Sequence, residues 1–347
     1  MMFSVLPSAL EHKCFVVAEL SANHNNSLDR ALQIVRAASD AGADAIKLQT
    51  YTPDSITLNL PAQKGFFIDN PSSIWAGRTT YELYKEASLP YEWHAPIFAA
   101  AQALGLVCFS TPFDVNAVDF LNKLNVPIYK IASAEIVDIP LLKKVAATGK
   151  PVIISTGMAT LGEIDDAVRT LRENDSGEIV LLKCTSAYPA PPEESNLRTI
   201  PHLAQAFGCK VGLSDHTMGS AVAVAAIALG AQVIEKHFTL SRSGSGPDDS
   251  FSMEPDEFQQ MVEDIRVAEK ALGQVCYAPS SAELYSREYR RSLYVVQDIK
   301  AGEVFTTENV RSIRPGYGLP PRYLGIVLGR IARQDIAMGT PLRWDII

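Results

Sequence analysis

The sequence predicts a (β/α)8 barrel followed by a small C-terminal domain, and three observations carry this prediction. Eight short apolar runs rich in β-branched residues alternate with amphipathic helical segments over most of the chain. Almost every run turns polar where it ends. After residue 276 the pattern changes to short strand-like pieces and turns. Alternating strands and helices indicate a parallel sheet, and eight such units in succession favour a closed barrel over an open sheet.

The eight runs are nearly continuous in apolar residues, which is typical of strands buried on both faces. They read CFVVAEL (14–20), DAIKLQT (44–50), LVCFSTP (106–112), IYKIAS (128–133), PVIISTG (151–157), IVLLKCTS (179–186), KVGLSDH (210–216) and VIEKHFT (233–239). The segments between them carry apolar residues at helical spacing. In SLDRALQIVRAASDAGA, for example, Ser27 is placed to cap the helix and Gly42 lies near its end.

The C-terminal part begins after a last helical segment, PDEFQQMVEDIRVAEKALG. We expect a barrel domain over residues 1–276, a linker over 277–289 and a small domain over 290–347. In the small domain, QDIKAGEVF and RQDIAMGTPL share a short Asp-Ile motif. A domain of about sixty residues is marginal for independent stability, so we expect it to pack on the barrel or on a partner subunit.

Composition narrows the class of protein. The net charge of −8 argues against general binding to nucleic acid or anionic membranes, which needs a basic face. The five cysteines are odd in number and never spaced C-x-x-C, which favours reduced thiols over a disulfide framework. The start, MMFSVLPSALEHK, lacks the features of a signal peptide, and the apolar stretch 221–229 is too short to span a bilayer. These features predict a soluble cytoplasmic protein.

The polar residues at the strand ends are expected to converge, because the carboxyl ends of parallel barrel strands share one mouth, where active sites are built. One polar residue of this kind is explained as a strand cap, but eight in succession are not. They are Glu19, Lys47 and Gln49, Ser110 and Thr111, Lys130 and Ser133, Ser155 and Thr156, Lys183 and Ser186, Asp215 and His216, and His237.

Two histidines end neighbouring strands, so His216 and His237 are expected side by side at the rim. Imidazoles suit Mn, Fe, Co, Ni or Zn. Barrel closure also brings Glu19 close, as a carboxylate ligand or a base. Two protein ligands with few carboxylates indicate an open, catalytic metal site rather than a structural one. The alternative is two unrelated rim histidines.

Three lysines, Lys47, Lys130 and Lys183, lie in otherwise apolar runs, where an unpaired ammonium is costly to bury. Converging cations indicate an anionic guest, either phosphate or carboxylate, with hydroxyls and backbone amides of the STP, IAS, STG and CTS segments as further donors. Two alternatives stay open: a Schiff-base lysine, and structural pairing with Glu19, Asp215 or Glu235.

Three further candidates lie outside the strands. Glu135 follows the fourth strand and is interpreted as an acid, a base or an acceptor for a sugar hydroxyl. The Gly-rich loop GSGPDDS suits a mobile lid that carries Asp248, or else a solvated turn. Arg314 lies in the Pro/Gly-rich loop SIRPGYGLPPRY and is interpreted either as reaching into a neighbouring site or as an ordinary surface arginine.

Eight segments together resemble the sialic acid synthase family. They are VVAELSANHNNSLDRALQIVRAASDAGADAIKLQTYTPDSITL, FSTPFD, YKIASAEI, ISTGMAT, LLKCTSAYP, GLSDHTMG, EKHFTL and RSIRPGYGLPP, and they cover nearly the whole chain. The spellings ELSANH, IKLQTYTPDS, YELYKEASLPYEWH and LLKCTSAYP are most similar to the pseudaminic branch of that family.

The resemblance implies a (β/α)8 barrel joined to a C-terminal antifreeze-like (SAF) domain. It also implies a domain-swapped homodimer in which each SAF domain caps the barrel mouth of its partner. The implied reaction condenses phosphoenolpyruvate with an amino-sugar aldehyde and releases phosphate, with a divalent metal such as Mn²⁺, Mg²⁺ or Co²⁺. For the pseudaminic branch the sugar is 2,4-diacetamido-2,4,6-trideoxy-L-altrose.

The resemblance also implies a role for each matching residue. His216 and His237 match the metal ligands, and Glu19 matches the carboxylate that takes a proton from the attacking water. The positions that bind phosphoenolpyruvate are matched by Lys47, Lys130, Thr111, Ser133, Ser155, Ser186 and Ser214. The sugar-side positions are matched by Gln49, Glu135, Tyr188, Asp248 and, from the partner's cap, Arg314.

Other functions stay open at this point. A sibling synthase acting on N-acetylmannosamine or on a legionaminic precursor uses the same chemistry, and the GPD of GSGPDD is associated with N-acetylneuraminate synthases. A metal-independent aldolase with Lys130 or Lys183 as Schiff base is a more distant alternative. A non-catalytic or ice-binding protein is a third, although neither needs strand-end cations and paired histidines.

Overall fold

The structure is a computed structural model that describes residues 13–60, 63 and 65–347. Residues 1–12, which carry most of the stretch behind the signal-peptide prediction and the start of the predicted barrel domain, lie outside the described residues. The chain divides into two compact units, one ending at Gly273 and one spanning Gln274–Ile347. We call them the barrel unit and the small unit.

The barrel unit contains eight parallel strands that close in sequence order, which confirms the predicted (β/α)8 barrel. Closure pairs the first strand with the eighth, and Glu19 lies opposite His237 on one side and Lys47 on the other. The strands are Phe15–Glu19 (β1), Ala45–Thr50 (β2), Val107–Pro112 (β3), Tyr129–Ile131 (β4), Val152–Ser155 (β5), Ile179–Cys184 (β6), Lys210–Asp215 (β7) and Val233–His237 (β8).

The strands have two buried faces. One face fills the barrel interior with a small cluster that includes Val17, Phe109 and Leu182, and the other packs under the helices. Because side chains alternate along a strand, each residue is committed to one of these two layers. This alternation decides which strand-end side chains face the mouth.

The fourth strand is shorter than the predicted run 128–133. After Ile131 the chain turns into a 3₁₀ helix, Ser133–Val137. The Ser133 hydroxyl accepts a hydrogen bond from the Gly157 amide at 3.0 Å, which ties this turn to the loop after β5. Ser133 therefore belongs to the turn and not to the strand.

The helices surround the barrel and begin at recognisable caps. The Ser27 hydroxyl accepts from the Arg30 amide at 3.2 Å, as predicted for the first helix. The helices of this unit are Leu28–Asp40 (α1), Pro53–Ile56 (α2), Thr80–Ala87 (α3), Tyr91–Ala103 (α4), Val115–Lys123 (α5), Ile139–Ala146 (α6), Leu161–Glu173 (α7), Thr199–Phe207 (α8), Ala221–Ala228 (α9) and Pro255–Leu272 (α10).

One connection is longer than a simple βα unit. Between β2 and α4 the chain makes α2, a short antiparallel bridge that pairs Phe67 with Thr79, and α3. The sequence analysis assigned no element to this insertion. It supplies part of the wall of the cavity described below.

The small unit has its own hydrophobic core, which includes Leu293, Phe305, Val310 and Leu342. The remaining elements are the helices Ser281–Leu284 (α11) and Leu324–Val327 (α12) and the antiparallel strands Ser292–Val295 (β9) and Val310–Ile313 (β10). The predicted linker, residues 277–289, contains α11 and the 3₁₀ helix Tyr285–Tyr289. Across the described part of the chain, no helix combines the length and apolarity needed to cross a bilayer.

Candidate active site

A cavity of about 500 Å³ opens at the carboxyl ends of the barrel strands. Most of the residues singled out in the sequence line it, because they are strand-end residues on the inward side of the pleat or lie in the loops that follow. These lining residues are Lys47, Gln49, Lys130, Ser133, Glu135, Ser155, Ser186, Tyr188, Ser214, His216, His237 and Asp248.

Glu19 and Thr111 are buried directly behind Lys47. A Glu19 carboxylate oxygen lies 2.7 Å from the Lys47 ammonium, which also donates to the Thr111 hydroxyl at 3.3 Å. Both residues therefore act on the cavity through this lysine. Arg314 lies in the small unit, immediately after β10, and is exposed.

A buried cluster of alternating charges forms the floor of the cavity. Glu235 lies between the two lysines, with one carboxylate oxygen 3.6 Å from Lys47 and 3.8 Å from Lys130. The Ser214 hydroxyl donates to the same oxygen at 3.2 Å, and Lys130 donates to Ser155 at 2.6 Å. From the sequence, Glu235 was named only as a possible structural partner of a lysine and not as a cavity residue. The alternation Val233, Glu235, His237 along β8 is the pattern that would have placed it inside.

Burial and charge set the pKa values of this cluster in opposite directions. Burial works against the ammonium of Lys47, but Glu19 and Glu235 outweigh it and hold the pKa of Lys47 above its usual value. Burial lowers the pKa of Lys130, and Glu235 opposes that change only in part. Burial raises the pKa of the Glu19 carboxyl, whereas the two lysines outweigh burial at Glu235 and lower its pKa.

The prediction that three lysines converge at the mouth is wrong for Lys183. Its neighbour Leu182 belongs to the barrel interior, so the pleat turns Lys183 outward. There it donates to the Cys184 carbonyl at 2.7 Å and to the Thr185 hydroxyl at 3.2 Å. Of the lysines that the structure describes, Lys47 and Lys130 line the cavity.

Asp215 is also turned away from the cavity. Its carboxylate lies 2.6 Å from the Lys236 ammonium, and both side chains are buried. The other carboxylate oxygen accepts from the amide and hydroxyl of Thr217. Asp215 thus orients a lysine behind the barrel wall and not a histidine.

His216 and His237 lie side by side, with ring centroids 5.3 Å apart. The Nδ1 atom of His216 lies 2.8 Å from the Thr185 carbonyl oxygen. In the tautomer that carries its proton on Nδ1, this nitrogen donates to the carbonyl and the lone pair of Nε2 is free. The buried Nδ1 of His237 has no hydrogen-bond partner among the described residues. Tyr188 packs on the pair, 4.3 Å from the His216 ring.

The donor set of this pair fits a borderline divalent cation, since it offers two imidazoles with an unsatisfied ring nitrogen. Within the described residues no group of three His, Cys, Asp or Glu side chains is arranged to hold a metal. A cation bound by this pair would therefore keep positions for water or substrate, as an open catalytic site does.

The mouth also carries neutral and acidic hydrogen-bonding groups. Gln49 donates to Glu19 at 3.0 Å and to Ser21 at 3.1 Å, and Ser21 donates to the Asp248 carboxylate. Burial raises the pKa of Glu135 to about 7, and one oxygen of its carboxyl is buried without a hydrogen-bond partner in the described structure. These residues present acceptors and donors suited to amide and hydroxyl groups.

The Gly-rich loop that carries Asp248 is fixed by the next residue. The buried Asp249 carboxylate accepts from the Gly246 amide at 2.8 Å and from Asn25 at 3.2 Å, and it also accepts from Thr239. A Cβ at Gly246 would overlap the Asn25 side chain, which explains a glycine there. The loop is therefore held to the barrel in an arrangement that points Asp248 into the cavity.

The cavity also has an apolar side that the sequence analysis missed. We call it the apolar wall and define it as Ile68, Trp75, Leu83, Tyr84 and Phe113. Most of it comes from the insertion between β2 and α4. The helical spacing of Leu83, Tyr84 and Ala87 in α3 marks one face of a helix, although the spacing alone does not show what the face covers.

Comparison with known proteins gives a family match in each of the two units. Residues 34–277 match the NeuB family and residues 290–347 match the SAF domain. The chain is 46% identical over 333 residues to the pseudaminic acid synthase of Campylobacter jejuni (strain 81-176), covering 96% of both chains. It is 38% identical to the N,N'-diacetyllegionaminic acid synthase of Legionella pneumophila, covering 99% of this chain and 97% of that protein.

The fold is likewise shared with a solved relative. The crystal structure of N-acetylneuraminic acid (sialic acid) synthetase from Leptospira borgpetersenii, in complex with citrate, superposes with a TM-score of 0.70 at 32% identity. That match covers 79% of this chain and 90% of the other.

Proposed function

The chain belongs to the NeuB family, and from this premise we propose that it condenses phosphoenolpyruvate with 2,4-diacetamido-2,4,6-trideoxy-L-altrose to give pseudaminic acid and phosphate. The observation that carries the proposal is the pair of buried lysines, Lys47 and Lys130, at the floor of a cavity that also holds two adjacent histidines. The 46% identity to a pseudaminic acid synthase favours this sugar over its relatives.

Phosphoenolpyruvate binds over the floor of the cavity. Its phosphate and carboxylate accept hydrogen bonds from the two ammonium groups, and charge-assisted hydrogen bonds of this kind are the strong ones. Neutral donors complete the site without adding charge, and they are the hydroxyls of Ser133, Ser155, Ser186 and Ser214.

In the proposed reaction, the new carbon–carbon bond forms before the bond between C2 and the phosphate oxygen breaks. C3 of phosphoenolpyruvate adds to the aldehyde carbon, and the aldehyde oxygen takes a proton and becomes a hydroxyl. Water adds at C2, and its proton passes through the Lys47 ammonium to the Glu19 carboxylate, which lies 2.7 Å from that ammonium and whose raised pKa suits a base. The bond between C2 and the phosphate oxygen then breaks, and the proton of the C2 hydroxyl leaves with the phosphate, which gives the ketone of the product. Lys47 and Lys130 stabilise the charge that develops on the phosphate.

His216 and His237 would hold a divalent cation, for which we propose Mn²⁺ ahead of Mg²⁺ and Co²⁺. When bound, such a cation supplies Lewis-acid polarisation of the aldehyde. The chain itself orients the sugar: Gln49, Glu135 and Asp248 bind its amide and hydroxyl groups, and Tyr188 packs beside the histidines.

We further propose that the enzyme works in the cytoplasm as a homodimer in which each small unit caps the partner's barrel. The exposed arginine Arg314 would then reach the sugar bound by the other subunit. The cytoplasm supplies phosphoenolpyruvate and keeps the five free cysteines reduced.

A phosphate-release assay tests the proposed function directly. Phosphate should form with phosphoenolpyruvate and the trideoxy-L-altrose, fall to background in EDTA and return with Mn²⁺. His237→Ala should abolish release and weaken Mn²⁺ binding measured by electron paramagnetic resonance, whereas the exposed His202→Ala should change neither.

The same assay decides between the alternatives. Faster release with N-acetylmannosamine or with the legionaminic precursor would reassign the sugar. Undiminished activity in EDTA, together with a borohydride-trapped adduct on Lys130, would replace this mechanism with a Schiff-base aldolase.

A further inference from the structure

We propose that the apolar wall selects the sugar by its unreactive end: it receives the terminal methyl group of a 6-deoxy sugar and rejects the same sugar with a hydroxyl at that carbon. The proposal rests on the proposed function, because it assumes that the cavity binds an amino-sugar aldehyde. The apolar wall then contains the side chains that distinguish this sugar from a fully hydroxylated one.

Leu83 and Tyr84 of the apolar wall belong to a continuous helix face that lines the cavity. Thr80, Leu83, Tyr84 and Ala87 all line the cavity, and their spacing places them on one side of α3. Tyr84 packs on Tyr51 with ring centroids 6.0 Å apart. Tyr51 in turn lies 5.1 Å from the ring of Phe113, which extends the apolar surface to the end of β3.

The other part of the wall is held in place by hydrogen bonds. Ile68 donates its amide to the Arg78 carbonyl and accepts from the Gly77 amide, both at 2.9 Å. Trp75 donates its indole N–H to the Pro247 carbonyl at 2.8 Å and packs 5.5 Å from the Tyr188 ring. Ile68 is therefore paired with the returning chain of the insertion, and Trp75 ties the insertion to the loop after β8, which indicates a built surface.

The polar groups named above are already assigned to phosphoenolpyruvate, to the aldehyde, or to the amide and ring hydroxyl groups of the sugar. The lysines and serines meet phosphoenolpyruvate, and the histidines lie beside Tyr188, where the aldehyde reacts. Ile68, Leu83 and Phe113 offer no side-chain hydrogen-bonding atom. A hydroxyl buried against them would lose its water without gaining a partner, whereas a methyl group would gain from the same burial.

The test compares two sugars that differ at one carbon: the trideoxy-L-altrose and its 6-hydroxy analogue. We expect the wild type to prefer the deoxy sugar in kcat/KM by roughly tenfold or more, the scale on which apolar pockets discriminate. Ile68→Ser should reduce the ratio of the two kcat/KM values several-fold and leave the KM for phosphoenolpyruvate unchanged. Ile68→Val should keep most of the wild-type ratio.

Ile74 provides a matched control, since it lies in the same segment but is exposed and does not line the cavity. Ile74→Ser should keep the wild-type ratio. Equal kcat/KM for the two sugars in the wild type, or an unchanged ratio in folded Ile68→Ser, would overturn the inference while phosphate release still upheld the proposed function. No phosphate release with either sugar would instead count against the proposed function itself.

Discussion

Lys130 and Lys183 occupy similar places in the sequence, each at the end of an apolar strand, yet only one of them reaches the cavity. Lys130 lies next to Glu235 and Ser155 inside the barrel. Lys183 follows Leu182, which fills the interior, and so points toward the helices. A single step along a strand exchanges the two faces, and this step separates a lysine that lines the cavity from one that does not.

This difference gives a prediction with an internal control. Lys130→Met should raise the KM for phosphoenolpyruvate at least tenfold, because it removes a buried charge partner of the anion, worth about 1.5–3 kcal/mol for a charged hydrogen bond. Lys183→Met should leave that KM within about twofold, in keeping with its place outside the cavity. Steady-state kinetics of both variants, with circular dichroism to verify folding, measures this. Equal effects of the two substitutions would contradict the assignment.

Glu135 should make the stability of the protein depend on pH. Burial raises its pKa to about 7 from an ordinary value of 4.5, so the folded state holds the proton more tightly than the unfolded state. The contribution of Glu135 to the free energy of unfolding is therefore lost as the pH rises from 4.5 through 7. At about 1.4 kcal/mol per pKa unit, the loss is at most about 3.5 kcal/mol.

Thermal unfolding without substrate or metal tests this sign. The melting temperature of Glu135→Gln should rise relative to wild type between pH 5 and pH 8, because the glutamine never ionises. The exposed Glu193→Gln provides the control and should follow wild type. A constant difference between Glu135→Gln and wild type across this range would show that Glu135 does not titrate there.

At the scale of elements, the loop after β8 shows how side-chain hydrogen bonds fix the conformation of a Gly-rich segment. The sequence analysis interpreted GSGPDDS as a lid or a solvated turn. The structure ties it down through Asp249, which accepts hydrogen bonds from Gly246, Asn25 and Thr239 and lies 3.4 Å from Arg30. The neighbouring Asp248 is thereby aimed at the cavity.

Asp249→Asn should disturb this loop without touching the substrate. An amide in place of the carboxylate presents N–H groups to neighbours that also donate, which costs about 1–3 kcal/mol. We expect a lower melting temperature and a higher KM for the sugar, with the KM for phosphoenolpyruvate unchanged. Asp256→Asn, at an exposed position in the first turn of α10, is the control. A uniform loss of kcat with both KM values unchanged would argue against a positioning role.

At the scale of the whole molecule, the chain consists of two units with separate cores. The barrel unit contains the cavity and nearly all the predicted site residues. Arg314, in the other unit, is the exception. The proposed homodimer accounts for this division, since a cap supplied by the partner would complete each site.

Mixing two impaired variants, assayed at a phosphoenolpyruvate concentration well below the raised KM of Lys130→Met, tests the proposed dimer. Lys130→Met damages the barrel and Arg314→Ala damages the cap, so a heterodimer would contain one intact site. Unfolding and refolding the two together should recover up to about a quarter of wild-type activity, because about half of randomly formed dimers are mixed. Lys47→Met mixed with Lys130→Met should recover none, since both changes lie in the barrel. Failure of the first pair to recover activity would contradict capping by the partner.

Local patterns were enough to predict the barrel and most of its mouth. Eight apolar runs alternating with helical segments determined the strand order, and chain order alone made His216 and His237 neighbours. Strand-end position also predicted that Lys47 and Lys130 lie at the mouth. These conclusions depend on periodicity and connectivity, which the sequence carries directly.

The tertiary structure decided what local patterns leave open. The pleat places the side chain of Glu235 in the cavity and those of Lys183 and Asp215 outside it, because neighbouring residues of a strand point to opposite faces. The apolar wall depends on contacts between Trp75, Tyr188 and the α3 face, which are far apart in sequence. The physical reason is that periodicity fixes a residue's face within its own element, whereas a binding surface forms only when distant elements pack together.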